Sequence, residues 1–297
     1  MLPEQRLSWS KKSAGPDPEN STTRTTLIKK PTNPLPSLPA GITAVDTHCH
    51  LDMAAYDNDR DQVIAEASRN GVGRMLTIGI DLVSSTRAVS LADRYPGVYA
   101  AIGVHPHNAA ATEDNCYQQL KKLASHPKVV AYGEIGLDFV KKYAPVQEQM
   151  TQFRKQIRIA KELRLPLIIH DRGAHTETMQ ILMDESPFPD GGVMHCFSGD
   201  AKLAAEVIDL GFHISVPGIV TYKNGTMLQE VVRKVELGAI LLETDGPFLT
   251  PVPERGKRNR PALVLHTARK IAELKAISLA EVVRRTTMNA EALFSLS

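Results

Sequence analysis

From residue 41 onward the chain predicts an α/β fold, a (β/α)8 barrel, on three observations. Eight short apolar runs alternate with stretches of helical spacing, the rhythm of parallel strands joined by crossover helices. A strand-plus-helix unit takes roughly 30 residues, so eight of them fill positions 41–297. The first apolar run ends in THCH rather than in a Gly-x-Gly-x-x-Gly turn, which argues against an open dinucleotide-binding sheet.

The strands are expected at ITAVDTH (42–48), RMLTIGI (74–80), VYAAIGV (98–104), VVAYGEIG (129–136), LPLIIH (165–170), GVMHCF (192–197), FHISV (212–216) and AILLETD (239–245). Most are almost continuously apolar, as strands covered on both faces must be. Helical spacing marks 60–71, which ends in Gly71, and also 146–165 and 201–211. Residues 261–294 read as two helices broken near Ile277-Ser278, with Ser278 placed to cap the second.

Residues 1–40 differ in kind. They hold seven of the 19 prolines, no apolar periodicity and a basic excess, and are expected to be a disordered extension outside the barrel domain at 41–297. Without them the charge nearly cancels, at 29 basic against 30 acidic residues, so nothing global points to nucleic acid. Three cysteines, Cys49, Cys116 and Cys196, suit free thiols in a reducing, cytoplasmic setting. With 42% hydrophobic residues and no apolar run near the roughly 18 needed to span a bilayer, the chain is neither disordered nor a membrane helix protein.

In a parallel barrel, chemistry collects at the C-terminal ends of the strands. His48 and His50 end the first strand, His105 and His107 follow the third, His170 ends the fifth, and His195 lies near the end of the sixth. Glu134 and Asp245 close the fourth and eighth. Residues two apart on a strand share a face, so the His48-x-His50 pair can address one ion. Imidazole and carboxylate together suit divalent cations. Six ligands (His48, His50, Glu134, His170, His195 and Asp245) exceed what one open catalytic zinc takes, and suit two cations about 3.5–4 Å apart. Glu134 is the natural bridge, and Asp245 can both ligate and take a proton from a shared, acidified water. Metal-assisted hydrolysis follows, with a closed structural metal site as the alternative.

The strings VDTHCHLD, GVHPH, GEIGLDF, LPLIIHDR, HCFSG and LLETDGPFLTP, in that order, resemble the TatD family of metal-dependent hydrolases, within the amidohydrolase-like barrels. The resemblance covers 42–297. It implies that His48, His50 and Asp245 hold one metal, that His170 and His195 hold a second, and that Glu134 bridges them. It also implies two divalent cations (Mg, Mn or Zn) and a 3′-to-5′ deoxyribonuclease activity on single-stranded ends. Many family members carry Ser after the last Asp, where this chain has Gly246.

For a phosphodiester substrate, Arg172 is the expected phosphate contact, with a rim salt bridge as its alternative. His105 is expected to reach the reacting phosphate as donor or acid; His107 either joins it or caps a turn. The basic run after the last strand, Arg260 included, either tracks a nucleic-acid backbone or is a solvated surface. Asp138 either orients a ligand or shapes a loop. The chain is thus expected to be a monomer acting on DNA, with no membrane or protein partner. Hydrolysis of another ester or amide, such as aminoacyl-tRNA, and metal-containing nucleic-acid binding without turnover are the competing readings.

Overall fold

The computed structural model describes residues 34–296. Eight parallel strands follow one another around one sheet in chain order. They are β1 (Ala44–Cys49), β2 (Val72–Ile78), β3 (Val98–Ile102), β4 (Val129–Asp138), β5 (Leu167–Arg172), β6 (Gly192–Met194), β7 (Phe212–Val216) and β8 (Ile240–Leu242). A parallel bridge between Cys49 and Gly246 closes the ring. Around that bridge the Asp245 N–H donates to the His48 carbonyl and the His50 N–H to the Gly246 carbonyl, both at 2.8 Å. The fold is the expected (β/α)8 barrel.

The crossovers carry α1 (Arg60–Arg69), α2 (Leu82–Arg94), α3 (Asp114–Leu123), α4 (Val146–Leu163), α5 (His175–Glu185), α6 (Ala201–Asp209) and α7 (Thr226–Lys234). After β8 come α8 (Val264–Lys275) and α9 (Leu279–Phe294). Side-chain oxygens start three of these helices. Asp81 accepts from the Ser84 N–H at 2.7 Å, Asp200 from the Leu203 N–H at 2.9 Å, and Ser278 from the Glu281 N–H at 3.1 Å. Gly71 and Gly211, with φ of +87° and +85°, end α1 and α6 in the left-handed region.

Alternation along the strands sorts the core into two layers. Met75, Val98, Ala100, Ile102, Ile240 and Leu242 pack outward with the buried faces of the helices. Leu76, Ile78, Tyr99, Val130, Ile168, Val193 and Leu241 form the inner cluster, which Ala290, Phe294 and Leu296 join. The last helix is tied to the strand starts: Thr287 donates to the Thr43 carbonyl at 2.8 Å, and Asn289 to those of Leu237 and Ile240 at 2.9 Å. It closes the N-terminal end and leaves the strand C-termini as the open mouth.

Of the expected strands, β6 and β8 are shortened most against their sequence runs. β6 stops at Met194 and β8 at Leu242, because the ladder with β7 ends there; His195 and Asp245 lie just beyond, in the turns. Residues 34–40 of the N-terminal extension are described, and there Leu35 and Leu38 pack, partly buried, against the core. Residues 1–33 lie outside the described residues. Among the described residues no helix is long and apolar enough to cross a membrane.

Candidate metal centre

Two bulges aim the first residues of the site. Between Asp46 and Cys49, β1 spends three steps where β2 spends two, from Met75 to Thr77. The inserted residue reverses the strand's parity beyond Val45, which belongs to the inner cluster, so His48 and His50 turn toward the barrel axis. β4 repeats the device between Tyr132 and Ile135, against Leu167 and Ile169 of β5, and there presents Glu134. Gly136, at φ +139°, completes that close approach: a Cβ there would lie 2.0 Å from the His170 carbonyl oxygen.

Glu134 is the hub. Its Oε2 lies 3.5 Å from His48 Nε2 and 4.0 Å from His50 Nε2. Its Oε1 lies 2.7 Å from His170 Nδ1, 2.7 Å from His195 Nε2 and 3.4 Å from His105 Nε2. Asp245 Oδ1 stands 3.5 Å from His50 Nε2 and 3.8 Å from His48 Nε2. One carboxylate oxygen therefore faces the His48, His50 and Asp245 group, and the other faces His105, His170 and His195. All six residues named as metal ligands from the sequence come together. Asp245 sits at φ +52°, an uncommon backbone conformation for a non-glycine residue.

Acceptors stand behind three of the imidazoles. His50 Nδ1 lies 3.2 Å from the Ile78 carbonyl, which can only accept, so when the ring is neutral its lone pair lies on Nε2, toward the centre. His170 has Nε2 3.5 Å from Asp138 Oδ2 and presents Nδ1 to Glu134. His195 has Nδ1 3.8 Å from Glu243 Oε2 and presents Nε2. His105 is the exception. Its Nδ1 accepts the His107 backbone N–H at 3.1 Å, so the neutral ring carries its proton on Nε2 and faces Glu134 as a donor.

The donor set fits divalent cations. His48 is 1% exposed, and neither of its ring nitrogens has a hydrogen-bond partner; the same holds for His195 Nδ1 and His170 Nε2. Burial and the stacked His195 ring, 3.9 Å away, push His48 down to about 4, so the ring is neutral, with a proton on one nitrogen and a lone pair on the other. Burial likewise pushes His105 down to about 4. Burial works against protonation of His50 and His170 too, but Asp245 in the one case and Asp138 with Glu134 in the other lift them to about 9. Burial alone would raise the Glu134 carboxyl; the surrounding imidazoles, His195 and His105 foremost, hold it well below the usual carboxylate range. Cations bound here would displace those imidazole protons and be held by the carboxylates.

The β3 and β4 ends are held by α4. Gln156 accepts from the Val104 N–H at 2.8 Å and donates to its carbonyl at 2.9 Å. Two turns earlier, Gln149 accepts from the Asp138 N–H at 2.8 Å and donates to its carbonyl at 3.1 Å. Asp138 is fully buried. Oδ1 accepts the Val140 and Lys141 N–H groups at 2.9 and 2.8 Å, shaping the loop, while Oδ2 lies 2.8 Å from His107 Nε2 and faces His170. His107 is thus engaged with Asp138, and His105 caps the turn through Pro106.

Arg172 ends β5 exposed, and the rim salt bridge is not formed: its guanidinium has no ion pair among the described residues. In the basic loop, several of the cations have partners within the chain. Arg260 pairs with Glu66 at 2.7 Å and Arg258 with both oxygens of Asp59, which ties the loop to α1. Lys257 pairs with Glu254 at 2.6 Å, and Arg255 lies over the Tyr222 ring. No hydrogen bond or ion pair joins Arg260 to the six residues of the centre. Gly246 has a steric reason: a Cβ there would stand 2.7 Å from the Tyr56 hydroxyl, which donates to the Asn259 carbonyl.

Glu243 went unread in the sequence. It is fully buried beside His195, accepts from Ser215, and is raised to about 7 by burial. Its signal was present: Glu243 and Asp245 have the same two-residue spacing as His48 and His50.

The model of the TatD-related DNase family matches residues 45–295. A Bacillus subtilis protein named as the uncharacterized metal-dependent hydrolase YabD is 43% identical over 252 residues, 85% of this chain and 99% of its own length. A Cronobacter sakazakii protein named as the 3′-5′ ssDNA/RNA exonuclease TatD is 34% identical over 257 residues, covering 84% of this chain and 97% of that one. The crystal structure of the Escherichia coli TatD homologue YJJV superposes with a TM-score of 0.82 at 31% identity, across 86% of this chain and 98% of that one.

Proposed function

The chain belongs to the TatD family of metal-dependent hydrolases, and from that premise we propose that it is a two-cation phosphodiesterase removing nucleotides from the 3′ ends of single-stranded DNA. The observation that supports this reading is the division of Glu134, one oxygen toward His48 and His50 and the other toward His170 and His195. His48, His50 and Asp245 would hold one cation, His170 and His195 the other, and Glu134 both. When bound, the cations supply an acidified water and offset charge on the attacking and leaving oxygens.

The chain's own groups do the rest. Asp245 has a carboxylate at the edge of the centre, held below its usual range by His50 against the effect of burial, and receives the proton of the attacking water. His105 presents Nε2–H toward the same space, as a hydrogen-bond donor to a non-bridging phosphate oxygen. Arg172, with no carboxylate paired to it among the described residues, meets a further phosphate oxygen. The relative named as an exonuclease supports the choice of nucleic acid as substrate.

Product mapping tests the proposal. Chelated enzyme is given Mg²⁺, Mn²⁺ or Zn²⁺ with single-stranded DNA labelled at its 5′ end, beside labelled RNA and an aryl-ester panel. A ladder shortening from the 3′ end is expected, abolished in Asp245→Asn. Inert nucleic acid with rapid ester turnover refutes it.

A further inference from the structure

Two aromatic side chains are held out at the mouth, where burial would be the ordinary fate of an aromatic ring. Tyr143 is 68% exposed and Phe248 is 50% exposed. Each leans edge-on against an imidazole of the site. Tyr143 lies 4.7 Å from the His107 ring, itself 4.2 Å from His105. Phe248 lies 6.3 Å from the His50 ring. One aromatic thus flanks each half of the centre.

Both sit on pinned backbone. The loop bearing Tyr143 is tied by Asp138 to the N–H groups of Val140 and Lys141, by the Phe139 N–H donating to the Arg172 carbonyl at 2.9 Å, and by Gln149 donating to the Ala144 carbonyl at 2.9 Å. Phe248 donates its N–H to the Asp245 carbonyl at 2.9 Å, and its carbonyl accepts from Asn259 at 2.6 Å. The rings are therefore presented by the same hydrogen bonds that build the centre. Charge accompanies the first: Lys141 and Lys142 precede Tyr143, all are exposed, and the loop packs on the turn after Arg172, where a Cβ on Gly173 would meet Val140 at 2.9 Å. Lys141, Lys142 and Arg172 have no ion pair among the described residues.

We propose that Tyr143 and Phe248 are stacking platforms for the unpaired bases on either side of the scissile phosphate, with Lys141 and Lys142 following the sugar-phosphate backbone; this rests on the nuclease reading above. Exposed rings interleaved with free cations match what a single strand offers, a π-face on every nucleotide and a charge on every phosphate. Stacking accepts any base, so cleavage is expected to show little base preference.

The test compares the full chain with Tyr143→Leu, Phe248→Leu, and the ring-retaining Tyr143→Trp and Phe248→Tyr, all with Mn²⁺. One substrate is a 5′-labelled single-stranded oligodeoxynucleotide. The other is the same strand with abasic residues in its last three positions. Each leucine variant is expected to raise KM on the base-bearing strand by on the order of 10-fold. The penalty shrinks on the abasic strand, and the ring-retaining variants recover. Equal penalties on both strands, or none, in an enzyme that cuts the base-bearing strand, overturn the platforms and leave the nuclease reading standing. A wild-type chain that binds Mn²⁺ yet cuts neither strand overturns the nuclease reading, and this inference with it.

Discussion

Asp138→Asn separates the two halves of the centre. The substitution keeps Oδ1, so the Val140 and Lys141 N–H groups retain their acceptor at 2.9 and 2.8 Å and the loop keeps its shape. What changes is Oδ2, which lies 2.8 Å from His107 Nε2 and 3.5 Å from His170 Nε2. An amide NH2 in its place is a donor facing two nitrogens that were donors. His170 relieves the conflict by giving up its Nε2 proton and keeping the one on Nδ1, the nitrogen 2.7 Å from Glu134 and the one a cation would need. The hydrogen bond lost is the charge-assisted one between Oδ2 and His107, worth about 1.5–3 kcal/mol, and the carboxylate charge facing His170 goes with it. Loss of such an outer partner weakens a metal site by roughly 10- to 100-fold. Calorimetric titration with Mn²⁺ is therefore expected to show one site weakened by that factor and the other, supported by the Ile78 carbonyl behind His50, unchanged. Hydrolysis should recover at raised Mn²⁺. Two unaltered sites in the variant would refute the orientation argument, and equal weakening of both would show that Asp138 acts through the fold.

Three further outcomes are expected. Glu134→Gln removes the one charge shared by five imidazoles, so calorimetry should count at most one cation in place of two and turnover should be lost at every Mn²⁺ concentration tried. His266, buried on α8 and accepting from Arg269 at 3.1 Å, is pushed by burial from 6.5 down to about 4. Its folded form therefore resists protonation: the stability it contributes is whole above pH 6.5 and drains away as pH falls toward 4. Thermal midpoints of His266→Gln should fall less steeply across that window than those of the wild type, and parallel curves would count against the assignment. Ala276 ends α8 exposed at φ +53°, where a Cβ is strained, so Ala276→Gly is expected to stabilise the chain by about 1 kcal/mol in urea titrations.

The barrel was legible in the sequence because both faces of each strand are covered, which writes near-continuous apolar runs into the chain, and because helices must separate parallel strands. The second, third, fifth and seventh helices gave weaker signals. The second, for instance, depends on Asp81 and Ser84 satisfying each other's backbone, a local hydrogen-bond event rather than a periodic one. Of the site, the residue types and their place at strand ends could be read from spacing alone. The basic loop could not, since a run of charge looks the same whether its partners are phosphates or the carboxylates of Asp59 and Glu66, which lie about two hundred residues away.

By itself the sequence determined the repeat, the rim on which chemistry gathers, and the set of imidazoles and acids found there. Only the tertiary structure decided that bulges at Asp46–Cys49 and Tyr132–Ile135 turn His48, His50 and Glu134 inward, that Glu243 stands behind His195 and Asp138 behind His170, and that Tyr143 and Phe248 remain in solvent. The physical reason is one of range. Burial and chain rhythm are properties of neighbouring residues, whereas the direction of a side chain at a strand end depends on register against another strand, and register is settled only once the ring has closed.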